Sequence, residues 1–117
     1  MNVYQLDTIP KEEVNEEITR RLITGSNVML CFFNFKRGSK VPPHRHVNEQ
    51  ISYVLEGSLR FRIGNEEQVV SAGQVVHIPS NTEHEVEVLD EGASVLDIFS
   101  PIRQDFLDGT DTYLRKK

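Results

Sequence analysis

Two of the four histidines, His44 and His46, stand one residue apart in the stretch Gly38-Ser39-Lys40-Val41-Pro42-Pro43-His44-Arg45-His46-Val47-Asn48-Glu49-Gln50. Side chains alternate sides along an extended chain, so residues i and i+2 project the same way and these two imidazoles can bind one ion. His84 follows Pro79-Ser80-Asn81-Thr82-Glu83, a turn able to present a third imidazole at the start of a strand. The competing reading of the pair is ordinary: a buried histidine is more often hydrogen-bonded than metal-bound, and an exposed His-x-His arises by chance. Asp97 interrupts the apolar strand Val95-Leu96-Asp97-Ile98-Phe99, where a carboxylate is costly unless it is paired, hydrogen-bonded or functional. It shares a face with Phe99, and it is either a structural acceptor for a backbone or histidine N–H or a proton-transfer group beside a metal. Arg103 lies beyond the turn expected at Ser100-Pro101. From there it can fold back and grip a carboxylate bidentately, or pair with Asp105 at the surface.

The elements that must position these residues are short and β-rich. Ile18 to Thr24 stops at Gly25-Ser26-Asn27, and Val28 to Phe35 stops at Lys36-Arg37-Gly38-Ser39. Ile51 to Leu55 is closed by Glu56-Gly57, and Leu59 to Ile63 by Gly64-Asn65, a hairpin signal with Gln68 to Val70 beyond it. Gln74 to Pro79, Glu85 to Leu89 and Ala93 to Phe99 complete the set, the last two joined by Asp90-Glu91-Gly92. About eight strands without a long helix predict a sandwich or small barrel. Segment 9–17 is predicted to be a short helical turn, polar all round. The tail from Pro101 loses the period-two pattern, is broken at Gly109 and ends in Arg115-Lys116-Lys117, a cluster expected to be solvated. Arg60 and Arg62 alternate with Phe61 and Ile63 and are expected to face solvent or a second copy, and His77 is expected to be structural.

A chain of 117 residues and 13.4 kDa holds one domain, here divided into a core of about 16–100 and a C-terminal tail of 101–117. With 38% hydrophobic and 26% charged residues it is not disordered by composition, and no run approaches the ~20 apolar residues that span a bilayer. Thirteen basic against 18 acidic residues leave a net charge of −5, which disfavours nucleic acid and anionic lipid as partners and points to a small molecule or another copy of the chain. Cys31, the one cysteine, sits in an apolar run and reads as a buried thiol. Asp7, Lys11, Glu12, Glu13, Glu16, Glu17 and Arg20 are incompatible with the apolar stretch of a signal peptide, so a cytoplasmic location is expected.

Gly38, His44, His46, position 50 and Gly57 fall on the first motif of the cupin superfamily, and Gly73, Pro79 and His84 on the second. The chain therefore resembles the cupins, which implies an all-β double-stranded β-helix, a jelly-roll barrel in one domain, with one divalent metal ion inside its mouth. The departures are Asn81 where glycine is usual, Val88 where asparagine is usual, and Gln50 in place of the glutamate ligand. Asparagine tolerates the left-handed conformation, and Glu49 should face the opposite side from Gln50. The implied ligands are His44, His46, Gln50 and His84, suited to Ni, Zn, Fe or Mn, and their neutrality favours an anionic ligand on the ion. The run from Asp97 to Leu107 resembles the C-terminal signature of KdgF-type small cupins, which linearise unsaturated uronates from pectin and alginate. That resemblance implies Asp97 as the proton-transfer group, Arg103 as the carboxylate clamp and Phe99 as an apolar substrate wall. The alternatives are a metal cupin that binds a small acid or sugar without turnover, and an iron-dependent dioxygenase. A homodimer through the edge of the N-terminal strands is also expected.

Overall fold

Period-two alternation sets the inside of each strand. In the computed structural model, which describes residues 1–115 apart from the side chain of Asp90, β3 (Met29–Phe35) buries Met29, Cys31, Phe33 and Phe35 and turns the residues between them outward. β2 (Ile18–Thr24) buries Ile18 and Arg20 in the same way. With β1 (Glu12–Glu13), β4 (Lys40–His44), β5 (Glu49–Ile63), β6 (Glu66–Ser71), β7 (Val75–Ile78) and β8 (His84–Ser100), these strands form one eight-stranded antiparallel sheet. β5 and β8 run side by side from Glu49↔Ser100 to Ile63↔His84. Their two halves bond different neighbours: β8 pairs with β3 over Ala93–Phe99 and with β4 over His84–Glu87, while β5 pairs with β7 and then with β6. The sheet thereby curls into two leaves, β1-β2-β3-β8-β5-β7 and β4-β8-β5-β6. Their inner faces enclose Phe33, Phe35, Val54, Leu59, Phe61, Val88 and Val95, the all-β single domain expected.

Two expected turns are bends inside strands. Glu56-Gly57 lies within β5 and Asp90-Glu91-Gly92 within β8, each of which passes through without a break. Gly57 (φ 82°) and Gly92 (φ 101°) occupy backbone conformations that side chains disfavour. A Cβ on Gly57 would strike the Gly92 carbonyl and come within 3.1 Å of the Ala93 Cβ, and one on Gly92 would lie 2.7 Å from the Phe35 carbonyl. The glycines let two long strands fold over each other, with register shifts around Val54–Leu59. Gly64-Asn65, by contrast, does close the β5–β6 hairpin, with Ile63 opposite Glu66.

Both chain ends depart from expectation. Segment 9–17 contains β1 rather than a helical turn, because Glu12 is drawn against Arg20, its register partner, whose Nε donates to it at 2.8 Å. The tail folds back as α1 (Gln104–Asp108), capped by Gly109 in the left-handed conformation, and α2 (Thr112–Arg115), which bury Phe106 and Leu114 against the core. Arg20 is 0% exposed and donates to Asp111 at 2.6 and 3.2 Å, a buried cation held by a buried carboxylate. Arg115, expected to be solvated, is bonded to Asp111 and Glu12, while Lys116 and Lys117 lie outside the described residues. Arg60 and Arg62 face outward, each donating to a glutamate on the adjacent strand, Glu87 and Glu85. Cys31 is buried, and burial pushes its thiol well above the usual range. No helix among the described residues is long and apolar enough to cross a membrane.

Candidate metal centre

His44 ends β4, His84 begins β8, and the two are register partners. His46 lies past the end of β4, so strand alternation does not aim it as the spacing suggested. A loop does so instead. The Asn81 N–H donates to the His46 carbonyl at 2.8 Å, with Asn81 at φ 59° as expected of a residue in a glycine position. The ligand nitrogens of His44, His46 and His84 lie within 4.8 Å of one another.

Each ring is oriented by a main-chain carbonyl. Nδ1 of His44 bonds Pro42 at 2.8 Å, that of His46 bonds Asn48 at 2.9 Å, and that of His84 bonds Thr82 at 2.8 Å. A carbonyl only accepts, so Nδ1 carries the proton in all three and each Nε2 keeps its lone pair. His84 Nε2 is buried without a hydrogen-bond partner. Gln50, on the inward face of β5, brings Oε1 to 3.1 Å from His46 Nε2. Its amide is fixed from the other end, where Nε2 donates to Ser52 Oγ at 2.9 Å and Ser52 donates to Asp97 at 2.6 Å. Two acceptors thus face each other with no proton between them. A cation bonded to both removes the conflict, since two ligands at ~2.1 Å from one ion stand about 3 Å apart. Burial pushes His44 down to about 3, where a second proton beside a charged His84 would be disfavoured further, and His46 down to about 4, helped by the charge of Arg103. His84 is lowered by burial as well, so all three are neutral, the form that ligates. The donor set fits a divalent metal ion of the Zn, Ni, Fe or Mn kind.

Asp97 is buried on β8 between Cys31 of β3 and Ser52 of β5, two small cross-strand neighbours that leave it room. Burial raises its carboxyl to about 6 against the hydrogen bonds of Ser52 and Gln50. Phe99, also buried, meets the His46 ring edge-on at 5.8 Å. Arg103 does fold back over the site and also pairs with Asp105, but as a buried residue rather than a surface one. Its guanidinium lies 4.0 Å from the Phe106 ring centre, Nε and Nη2 donate to Asp105 at 2.9 and 2.8 Å, and Nη2 donates to Tyr113 Oη at 2.9 Å. Although burial opposes the charge, these partners hold its pKa above the usual value. Gln50, Asp97, Phe99, Arg103, His44 and His84 line one cavity. His77 lies apart from it, exposed and 2.7 Å from outward-facing Glu49.

Ser52 and Tyr113 belong to the site without being among the residues expected from the sequence. Ser52 was findable, since it stands two residues after Gln50 on the same face of β5. Tyr113, whose ring stacks on His44 at 4.2 Å and 19°, lies in a tail with no periodicity to mark it.

The cupin domain family model matches residues 31–99. Among curated proteins, the pectin degradation protein KdgF of Dickeya dadantii is 37% identical over 103 residues, covering 86% of this chain and 94% of that protein. Among solved structures, KdgF from Halomonas sp. superposes with a TM-score of 0.85 at 27% identity, covering 91% of this chain and 98% of the other. A Bacillus subtilis oxalate decarboxylase with Mn(II) centres matches at a TM-score of 0.78 and 21% identity over 87% of this chain and 30% of its own, a likeness of fold alone.

Proposed function

Because the chain belongs to the cupin family and is similar to KdgF over most of its length, we propose that it is a metal-dependent enzyme of pectin or alginate sugar breakdown that opens the ring of 4,5-unsaturated uronates. The observation that supports this best is the gathering, around one cavity, of lone pairs awaiting a cation, a buried carboxylate and a buried guanidinium. His44, His46, His84 and Gln50 would hold one divalent ion. That ion, when bound, supplies Lewis acidity towards the oxygens and carboxylate of the sugar.

The reaction is an isomerisation and needs no co-reactant. A proton leaves the anomeric hydroxyl, the bond from the anomeric carbon to the ring oxygen breaks to give an aldehyde, and the ring oxygen becomes the oxygen of an enol. Ketonisation then places a proton on the neighbouring carbon. Asp97 takes or returns these protons from its place in the cavity wall, and Ser52 fixes it by donating to Oδ1. Arg103 binds the carboxylate through Nη1, which takes no part in the bonds to Asp105 and Tyr113, and Phe99 forms the apolar wall. Four neutral ligands leave the ion's charge unbalanced, which favours an anionic sugar acid over a neutral one. The protein is further proposed to act in the cytoplasm as a homodimer.

Elemental analysis comes first, with one divalent ion expected per chain. Replacing both His44 and His46 by Ala should abolish metal binding, whereas His77→Ala should retain it. Full metal content in the double variant overturns the ligand set. The metal-replete protein should then bleach the conjugated chromophore of unsaturated galacturonate in the ultraviolet; metal without turnover leaves a binding protein.

A further inference from the structure

The cavity beside the histidines has a volume of about 40 Å³, room for a few waters. A site that takes a sugar-sized ligand has roughly 300 Å³ or more. A uronate does not fit there in this conformation. Most of the wall is fixed by the sheet, since Gln50, Ser52, His84, Asp97 and Phe99 sit on strands of the hydrogen-bonded ladder. α2 is different. It is four residues long, makes no ladder bonds, and lays the Tyr113 ring on His44 while Tyr113 Oη accepts from Arg103. Its start is pinned by the buried pair of Asp111 with Arg20. Its far side is held by Leu114, buried against the core, by the Asn15 amide, which donates to the Leu114 carbonyl at 2.7 Å, and by the partly exposed Arg115, which pairs with Glu12 and bonds Asp111.

The geometry points to Tyr113 as the gate of the metal centre: α2 pivots on the Asp111–Arg20 anchor, lifts the ring off His44 to admit a ligand, and closes again over it. The inference rests on the proposed function for the identity of what enters, but the gate acts on any reagent that approaches the ion.

Metal extraction reads it directly. The protein loaded with zinc, and separately with nickel, is mixed with increasing EDTA. If the gate must open first, the extraction rate climbs with EDTA and levels off at a plateau common to both metals, because opening does not depend on which ion is bound. Tyr113→Ala should raise that plateau at least tenfold, and Tyr113→Phe, which keeps the stacked ring, should stay within about twofold of wild type. A wild-type rate that stays proportional to EDTA, or plateaus that differ between zinc and nickel, overturns the gate, as does wild-type extraction from a folded Tyr113→Ala protein. Should that variant not fold, the two wild-type plateaus decide. Gated extraction from a protein inert towards uronates would keep the gate and remove the proposed function.

Discussion

Asp97 carries an electrostatic cost that its proposed role would explain. In the metal-free protein burial lifts its carboxyl from 3.8 to about 6, so the folded state holds a proton more tightly than the unfolded chain does. The stability this contributes is complete below about pH 4 and is lost as the pH rises through 6, leaving a penalty on the order of 3 kcal/mol above that. Asp97→Asn is therefore expected to stabilise the metal-free protein by about 2–3 kcal/mol at pH 8 in urea unfolding, an advantage that vanishes near pH 4. In the metal-loaded protein the same change should leave the metal in place and cut uronate turnover by about 10²–10⁴. Destabilisation at pH 8 with activity retained would make Asp97 a structural acceptor instead. Arg103→Lys keeps the charge, but a single ammonium cannot hold Asp105 and Tyr113 and still reach the substrate carboxylate as the guanidinium does through Nη1, so it should raise KM about tenfold with a smaller change in kcat.

Where glycines bend strands instead of ending them, the fold depends on backbones that touch. Gly57→Ala puts a methyl group against the Gly92 carbonyl at a positive φ, and a loss of about 2–3 kcal/mol in urea unfolding is expected; a loss below ~0.5 kcal/mol would contradict the close approach. The burial of Cys31 on β3, the shared face of Asp97 and Phe99 on β8, the Gly64-Asn65 hairpin and the opposite facing of Glu49 and Gln50 were all legible, because alternation and turn chemistry are local. Whether Gly57 turns or bends the chain was not, because it depends on Gly92, far along the sequence. The aim of His46 was equally hidden, being set by Asn81 across a loop. Of the cluster expected to be solvated, Arg115 is paired instead, and that was not legible because nothing near Asp111 and Arg115 announces Arg20 and Glu12 as partners. Asp111→Ala strands that guanidinium in the core and should cost about 3–5 kcal/mol, detaching the tail from β2.

At the scale of the whole molecule, the sheet's outer face bears Ile51, Tyr53 and Leu55 of β5, each 39% exposed, beside Val75 of β7 at 60%. They lie away from the N-terminal edge through which the homodimer is expected and give two copies a second surface to cover; light scattering at micromolar concentration should return twice the 13.4 kDa of the chain, and a monomer mass removes the homodimer. Inside the same sheet, the curl that joins β4, β5 and β8 to the tail makes one place where His44, His46, His84 and Gln50 meet Asp97 and Arg103. The most direct test of what that place does is the ultraviolet absorbance of unsaturated galacturonate and its mannuronate-derived counterpart, followed with the protein metal-replete, stripped by chelator, and reloaded. Loss of the chromophore well above the spontaneous rate is expected from the replete protein, with a fall to the spontaneous rate on stripping and recovery on reloading. A replete, folded protein that leaves both sugars at the spontaneous rate contradicts the account.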